Sequence, residues 1–426
     1  MMSIPVAPTA AEARECLHIL QRLGEGGVPP EVGLGRINVG NDSYLRVLEH
    51  EYFGRQLTIG ASFKLVQGYY GGGKTHFLLC VRELAWRHGF ATAVVELSPQ
   101  ECPYDDTVQV YRAVARRIAL PPQDPLAPRH YGVAEMVRDI VERRVDADGA
   151  GETSRWLRRQ VGRAPCESHS YRAAVVALGL EVVEEMQDSG LAAWLSGEPV
   201  PLSVVRPHGV YETISKANGF TMLRCLTQMV VALGVPGTAL LFDEVDRILS
   251  VNVKRSQAIG DNLRQVVDLC GRHQLPNTLF MYAVPPEFLR HVAPEYPALH
   301  QRLKSPVPLS VRSPQAVLID LDKLDMEPTQ LLAAIGVNLI PVFETARGVR
   351  LDRSVQEANA GRLAQAAVST FFEVNHRRLF VKTWVDLLHG QLVDGERLLT
   401  DQEAMERVTS TGTALAERID DDFADF

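Results

Sequence analysis

Phe63-Lys64-Leu65-Val66-Gln67-Gly68-Tyr69-Tyr70-Gly71-Gly72-Gly73-Lys74-Thr75-His76 is the stretch that decides the fold of this 426-residue chain. Phe63 to Val66 reads as a short buried strand, and it runs directly into a glycine-rich loop. Residues 68–75 match G-x-x-x-x-G-K-[ST] in full, and a helical pattern from His76 to Arg87 follows. Gly68, Gly71, Gly72 and Gly73 let the backbone turn its N–H groups inward, a concavity that holds phosphate oxygens. The start of the next helix, through Lys74, Thr75 and His76, adds partial positive charge. Lys74 brings a point charge to the β- and γ-phosphates, and the Thr75 hydroxyl is a ligand for Mg²⁺. The implied ligand is ATP or a related nucleoside triphosphate.

Outward from the loop, apolar runs alternate with helical patterns. Ala91 to Leu97 and Thr278 to Val284 read as buried strands, and a further short one is expected near Val307 to Val311. Thr238 to Phe242 is another, ending in Asp243-Glu244. A carboxylate at the end of a buried strand can hold Mg²⁺ through water, the role given to Asp243. Glu244 is placed to polarise an attacking water as general base. The alternation predicts an α/β fold with a parallel sheet covered on both faces.

The strand 278–284 ends without the Ser, Thr or Asn that senses a γ-phosphate in many such ATPases. Tyr282 is either a substitute or a core residue. Arg302 is a candidate for stabilising transition-state charge on a neighbouring subunit, and a surface arginine is the alternative. Arg378 is a candidate for reaching the γ-phosphate from a lid helix, with Arg377 competing for that role.

The organisation read from the chain has four parts. Residues 1–120 hold N-terminal helices, one opened by the capping box Thr9-Ala10-Ala11-Glu12, and the first part of the core. Residues 121–212 read as a mainly helical insertion, 213–312 as the second part of the core, and 313–426 as a C-terminal helical lid with a disordered acidic tail. In the insertion, Arg155, Arg158 and Arg159 recur at helical spacing beside Trp156. They read either as a phosphate-binding stripe or as a solvated face.

Hydrophobic residues make up 46% and charged residues 23%, with net charge −8. Any DNA contact must therefore come from a local basic patch. The six scattered cysteines read as buried thiols, not zinc ligands. No secretory pattern or run of about 18 apolar residues is present, so a cytoplasmic protein without membrane contact is expected.

Several segments carry a resemblance to a known family. They are Gly26-Gly27-Val28-Pro29-Pro30, Ile37-Asn38-Val39-Gly40, Gly68 through Leu78, Gly234-Val235-Pro236-Gly237, and the strand ending Asp243-Glu244-Val245-Asp246. Leu263-Arg264 with Asp268, and Pro286-Glu287-Phe288, also fit. Together they resemble the ATP-binding proteins of BREX phage-defence systems, especially the BrxD-like member. The resemblance implies an AAA+-type ATPase related to origin-recognition and STAND ATPases, with a helical lid. It also implies a role in defence beside methyltransferase, helicase and other components. Two uses of nucleotide are open: an oligomeric motor or switch acting on DNA, or a nucleotide-holding scaffold or STAND-like signalling switch.

Overall fold

The computed structural model describes residues 8–424 apart from 70–71, 99–101, 125, 128, 188, 244–252, 272–274, 289–302, 304–306, 325 and 371–375; the side chains of 253–257 and 417–424 are also outside the description. Five parallel strands form one sheet: β1 (Ala61–Gln67), β2 (Ala91–Glu96), β3 (Thr238–Asp243), β4 (Thr278–Val284) and β5 (Leu318–Asp320), in the spatial order β2-β3-β4-β1-β5. Every residue of β3 and β4 is buried. Their unbroken apolar runs suit a parallel sheet covered on both faces. Phe242 on β3 stacks on Tyr282 of β4 at 4.6 Å, and Tyr282 stacks on Phe63 of β1 at 5.2 Å. Aromatic packing thus ties three neighbouring strands together.

The short strand expected at 307–311 lies instead at Leu318–Asp320. Pro308 has no N–H to give to a ladder, and Val307 and Val311 are 45% and 79% exposed. Ile319 is buried, and Val317 O accepts from the Leu65 amide.

The helices are α1 (Ala10–Gly24), α2 (Asp42–Val47), α3 (Lys74–Arg87), α4 (Thr107–Arg117), α5 (Val133–Asp148), α6 (Ala150–Arg159), α7 (His169–Val183), α8 (Leu191–Leu195), α9 (Leu202–Val205), α10 (Gly219–Ala232), α11 (Val253–Gly271), α12 (Pro328–Arg347), α13 (Arg353–Ser369), α14 (His376–Asp394) and α15 (Asp401–Ala424). The capping box at Thr9 is formed in both directions. The acidic end, expected to be disordered, continues α15 to Ala424.

The chain divides into two compact units. One comprises Met1–Ser43, Gly68–Cys80 and Asp320–Phe426; the other comprises Tyr44–Gln67 and Val81–Ile319. In the first, Cys16, Ile19, Leu20 and Leu23 of α1 share an apolar core with Leu339, Phe343, Leu363, Phe380, Trp384 and Leu388 of α12 to α14. The N-terminal helix is therefore a partner of α12 to α14, and its apolar face had no such address in the sequence. α12 is long and apolar enough to cross a membrane, and its Leu331, Leu332, Leu339, Ile340 and Phe343 are buried. Burial in a protein core accounts for that composition.

In the second unit, helices α5 to α8 extend the sheet's own core. Val137, Leu157, Tyr171 and Trp194 belong to the same apolar cluster as Leu240 and Phe242. Tyr111 of α4 bonds to Tyr171 of α7 at 3.1 Å and also to Leu195 O of α8, so these helices are fastened together by buried polar contacts.

Candidate functional site

The first unit contains the glycine loop. Lys74 is buried, and its Nζ donates to Gly68 O at 2.9 Å and Tyr69 O at 3.0 Å. The side chain is thus folded back along its own loop. Gly72 N donates to Tyr69 O at 2.9 Å and closes a turn. At the start of α3, Phe77 N donates to Gly73 O at 2.9 Å. Lys74, Thr75 and His76 form the first turn of this helix, the end whose dipole attracts anions.

Tight contact and backbone shape favour glycine in this loop. A Cβ on Gly72 would lie 3.0 Å from Tyr69 O. Gly73 has φ +87°, and a Cβ there would sit 2.6 Å from Arg377 Nη1. Tyr70 and Gly71 lie outside the described residues.

Two arginines at the start of α14 reach different glycines. Arg377 Nη1 donates to Gly72 O at 2.6 Å. Arg378 Nε donates to Gly26 O at 2.5 Å, and its side chain covers Gly27, which has φ +70°. Of the two candidates weighed from the sequence, Arg377 is the one that reaches the glycine loop. Arg378 secures the Gly26-Gly27 turn. The Gly26-Gly27 pair thus has a packing reason: a Cβ on Gly27 would meet Arg378 Cγ at 2.6 Å.

Asp322, which the sequence reading did not single out, faces the same loop. Both of its carboxylate oxygens lie 3.2 Å from Tyr69 N. Burial, helped by the Asp320 charge, raises its carboxyl pKa, against the opposing pull of the Tyr69 amide and of Arg377 and Lys74. No local signal marks Asp322, because it reaches the loop through space.

The His76 ring lies 3.4 Å from Cys80 Sγ, and burial, reinforced by Arg377, pushes its pKa down to about 4. The ring is neutral at pH 7. Cys80 Sγ continues to Asn38 Oδ1 at 3.8 Å, which also accepts from Asn41 Nδ2 at 3.2 Å. Asn38 O accepts from Asn338 of α12 at 3.4 Å. The Ile37-Asn38-Val39-Gly40 segment is thereby a polar junction behind the loop helix.

In the second unit, the parallel strands end on one edge of the sheet. Asp243 closes β3 there, 3% exposed, in register with Glu96. Its backbone carbonyl accepts from the Leu97 amide at 3.0 Å. Glu244 and Arg302 lie outside the described residues. Tyr282 is fully buried and its hydroxyl pairs with that of Tyr104. It is a core residue, and β4 ends at Val284.

On α6, Arg155 pairs with Glu152, and Arg158 lies 3.7 Å from Glu184. Arg144 stacks on the Trp156 ring at 4.4 Å. Two of the three stripe arginines are therefore balanced by carboxylates, as on a solvated helix face.

The residues at the loop fit a polyphosphate: one glycine held at positive φ, a second in tight contact with the loop backbone, a lysine beside them, and a helix start beyond. The family model described as BREX system ATP-binding protein BrxC/D matches residues 11–397. No curated protein and no solved structure matches.

Proposed function

Since the chain belongs to the BREX system ATP-binding proteins BrxC/D, and so has an ATP-binding role in phage defence, we propose that it also hydrolyses ATP, as a motor or switch of an AAA+-type defence assembly. The observation that carries this reading is the closed loop: Lys74 held by Gly68 O and Tyr69 O, with Arg377 bonded to Gly72 O. Such an arrangement pre-positions two cations beside the phosphate-binding amides, and preorganised charge is what phosphoryl transfer chiefly needs.

The roles follow from chemistry. Lys74 neutralises the β- and γ-phosphates, and backbone N–H groups at the start of α3 donate to the phosphate oxygens. Thr75 and Asp243 keep the Mg²⁺ roles that their sequence context gives them. Bound Mg²⁺ would neutralise charge on the phosphates. Glu244 orients and deprotonates the water. Arg377 is preferred to Arg378 as the lid arginine, and Arg302 acts on a neighbouring subunit of a homo-oligomer. Other BREX components are partners; a helicase, a methyltransferase and DNA are the proposed ones.

A second reading, a nucleotide-holding scaffold or STAND-like signalling switch with little turnover, is favoured by the burial of Tyr282 against Tyr104. That contact keeps Tyr282 from serving as a γ-phosphate sensor. ATP turnover of the parent and of Glu244→Gln, each with and without single- and double-stranded DNA, separates the two. The motor reading expects turnover that disappears in Glu244→Gln. ATP that stays intact on the parent over hours, with DNA present, supports the scaffold.

A further inference from the structure

Asp322 stands at the turn that leaves β5 and leads towards α12. Its own amide donates to Asp320 Oδ1 at 3.1 Å, and Asp320 is buried. The carboxylate of Asp322 is thus presented by a fixed turn. Both oxygens meet one donor, the Tyr69 N–H.

That donor shares a peptide plane with the Gly68 carbonyl, which accepts from Lys74 Nζ at 2.9 Å. A peptide plane rotates as one body. Turning the Tyr69 amide away from Asp322 turns the Gly68 carbonyl away from Lys74. The two bonds therefore fix the same degree of freedom, one from each end. Nearby, a Cβ on Gly72 would lie 3.4 Å from Asp322 Oδ1, so the carboxylate lies within contact range of the loop's inner turn.

We propose that Asp322 is a positioning residue of the nucleotide site: by accepting the Tyr69 amide it sets the 68–69 peptide, and through that peptide the carbonyl that anchors the Lys74 ammonium beside the loop. The contact links the loop to the segment that enters the lid helices of the same unit. This inference rests on the reading that ATP phosphates bind at Lys74. Asp322 touches neither substrate nor metal in this role, and the required property is an acceptor at this place, not a negative charge.

Asn keeps an acceptor and removes the charge; Ala removes both. ATP affinity is measured by displacement of a fluorescent nucleotide from the full chain carrying Asp322→Asn, Asp322→Ala or Lys74→Ala, with thermal melting of each. Losing a hydrogen bond to a charged group costs affinity by about tenfold or more. Asp322→Ala is expected to bind ATP about tenfold more weakly, while Asp322→Asn stays within about threefold of the parent. Should the alanine variant fail to fold, Asp322→Ser, whose hydroxyl is too short to reach Tyr69 N, takes its place. Parent-like affinity in the alanine or serine variant overturns the proposal, as does an asparagine variant as weak as alanine. Parent-like affinity in Lys74→Ala instead overturns the underlying assignment of the loop, however the Asp322 variants rank.

Discussion

Arg377 Nη1 donates to the Gly72 carbonyl across 2.6 Å, joining the first turn of α14 to a loop 305 residues earlier in the chain. Arg378, one residue on, serves Gly26 instead. The two should separate in experiment. Arg377→Ala is expected to weaken ATP binding by about tenfold, the scale of a lost charge-assisted bond. Arg378→Ala should lower the melting temperature and leave ATP affinity within about threefold. Calorimetric titration of ATP into both variants checks this; the reverse ranking would reassign the lid arginine.

Gly73 offers a test of backbone shape. At φ +87° an L side chain is strained by about 1–2 kcal/mol, and the added Cβ would contact Arg377 at 2.6 Å. Gly73→Ala is expected to reduce ATP affinity more than tenfold, by about 1.4 kcal/mol or more, while circular dichroism stays native. A variant that binds like the parent would mean that the loop does not need this conformation.

Tyr282→Phe tests whether a hydroxyl at the end of β4 serves structure or chemistry. The Tyr104 hydroxyl would lose its partner in a fully buried place, a loss of about 1–3 kcal/mol. The melting temperature should fall and the ATP turnover rate per folded molecule should not change. A large loss of turnover without loss of stability would make Tyr282 a γ-phosphate sensor after all.

Lys64 provides a pH test. It is 1% exposed on β1, and Nζ donates to Tyr52 Oη at 2.6 Å and Ala316 O at 2.7 Å. Two acceptors match the two N–H groups of a neutral amine. Burial lowers its pKa from 10.5 to about 7. Between those values the unfolded chain holds a proton that the folded chain does not, so this group's contribution to stability rises as pH rises from about 7 towards 10.5. Denaturant melts of Lys64→Met and the parent at pH 7 and pH 9.5 should show the parent gaining on the variant at the higher pH. A gap that is independent of pH would show Lys64 to be charged in the fold.

The loop and the strands β1 to β4 were legible because each is a local pattern: an unbroken apolar run, or a motif whose residue types have one chemistry. The same locality explains what was not legible. β5 was displaced because Val307 and Val311 look like strand residues, while Pro308 and solvent exposure act against a ladder only in three dimensions. Asp322 meets Tyr69 253 residues away, and no spacing rule encodes such a contact. Arg377 and Arg378 are chemically identical neighbours, and only the direction of α14 assigns one to Gly72 and the other to Gly26. Asn38 looked like part of a family signature; its reason is the polar junction with Cys80 and Asn338.

On the proposed reading, this loop holds the nucleotide through Lys74, whose Nζ is held by Gly68 O and Tyr69 O. Equilibrium binding of ATP to the parent and to Lys74→Ala, both verified as folded, tests it most directly. The account expects saturable binding by the parent and binding at least a hundredfold weaker, about 2.7 kcal/mol, in the variant. Equal affinity in the two proteins would contradict it.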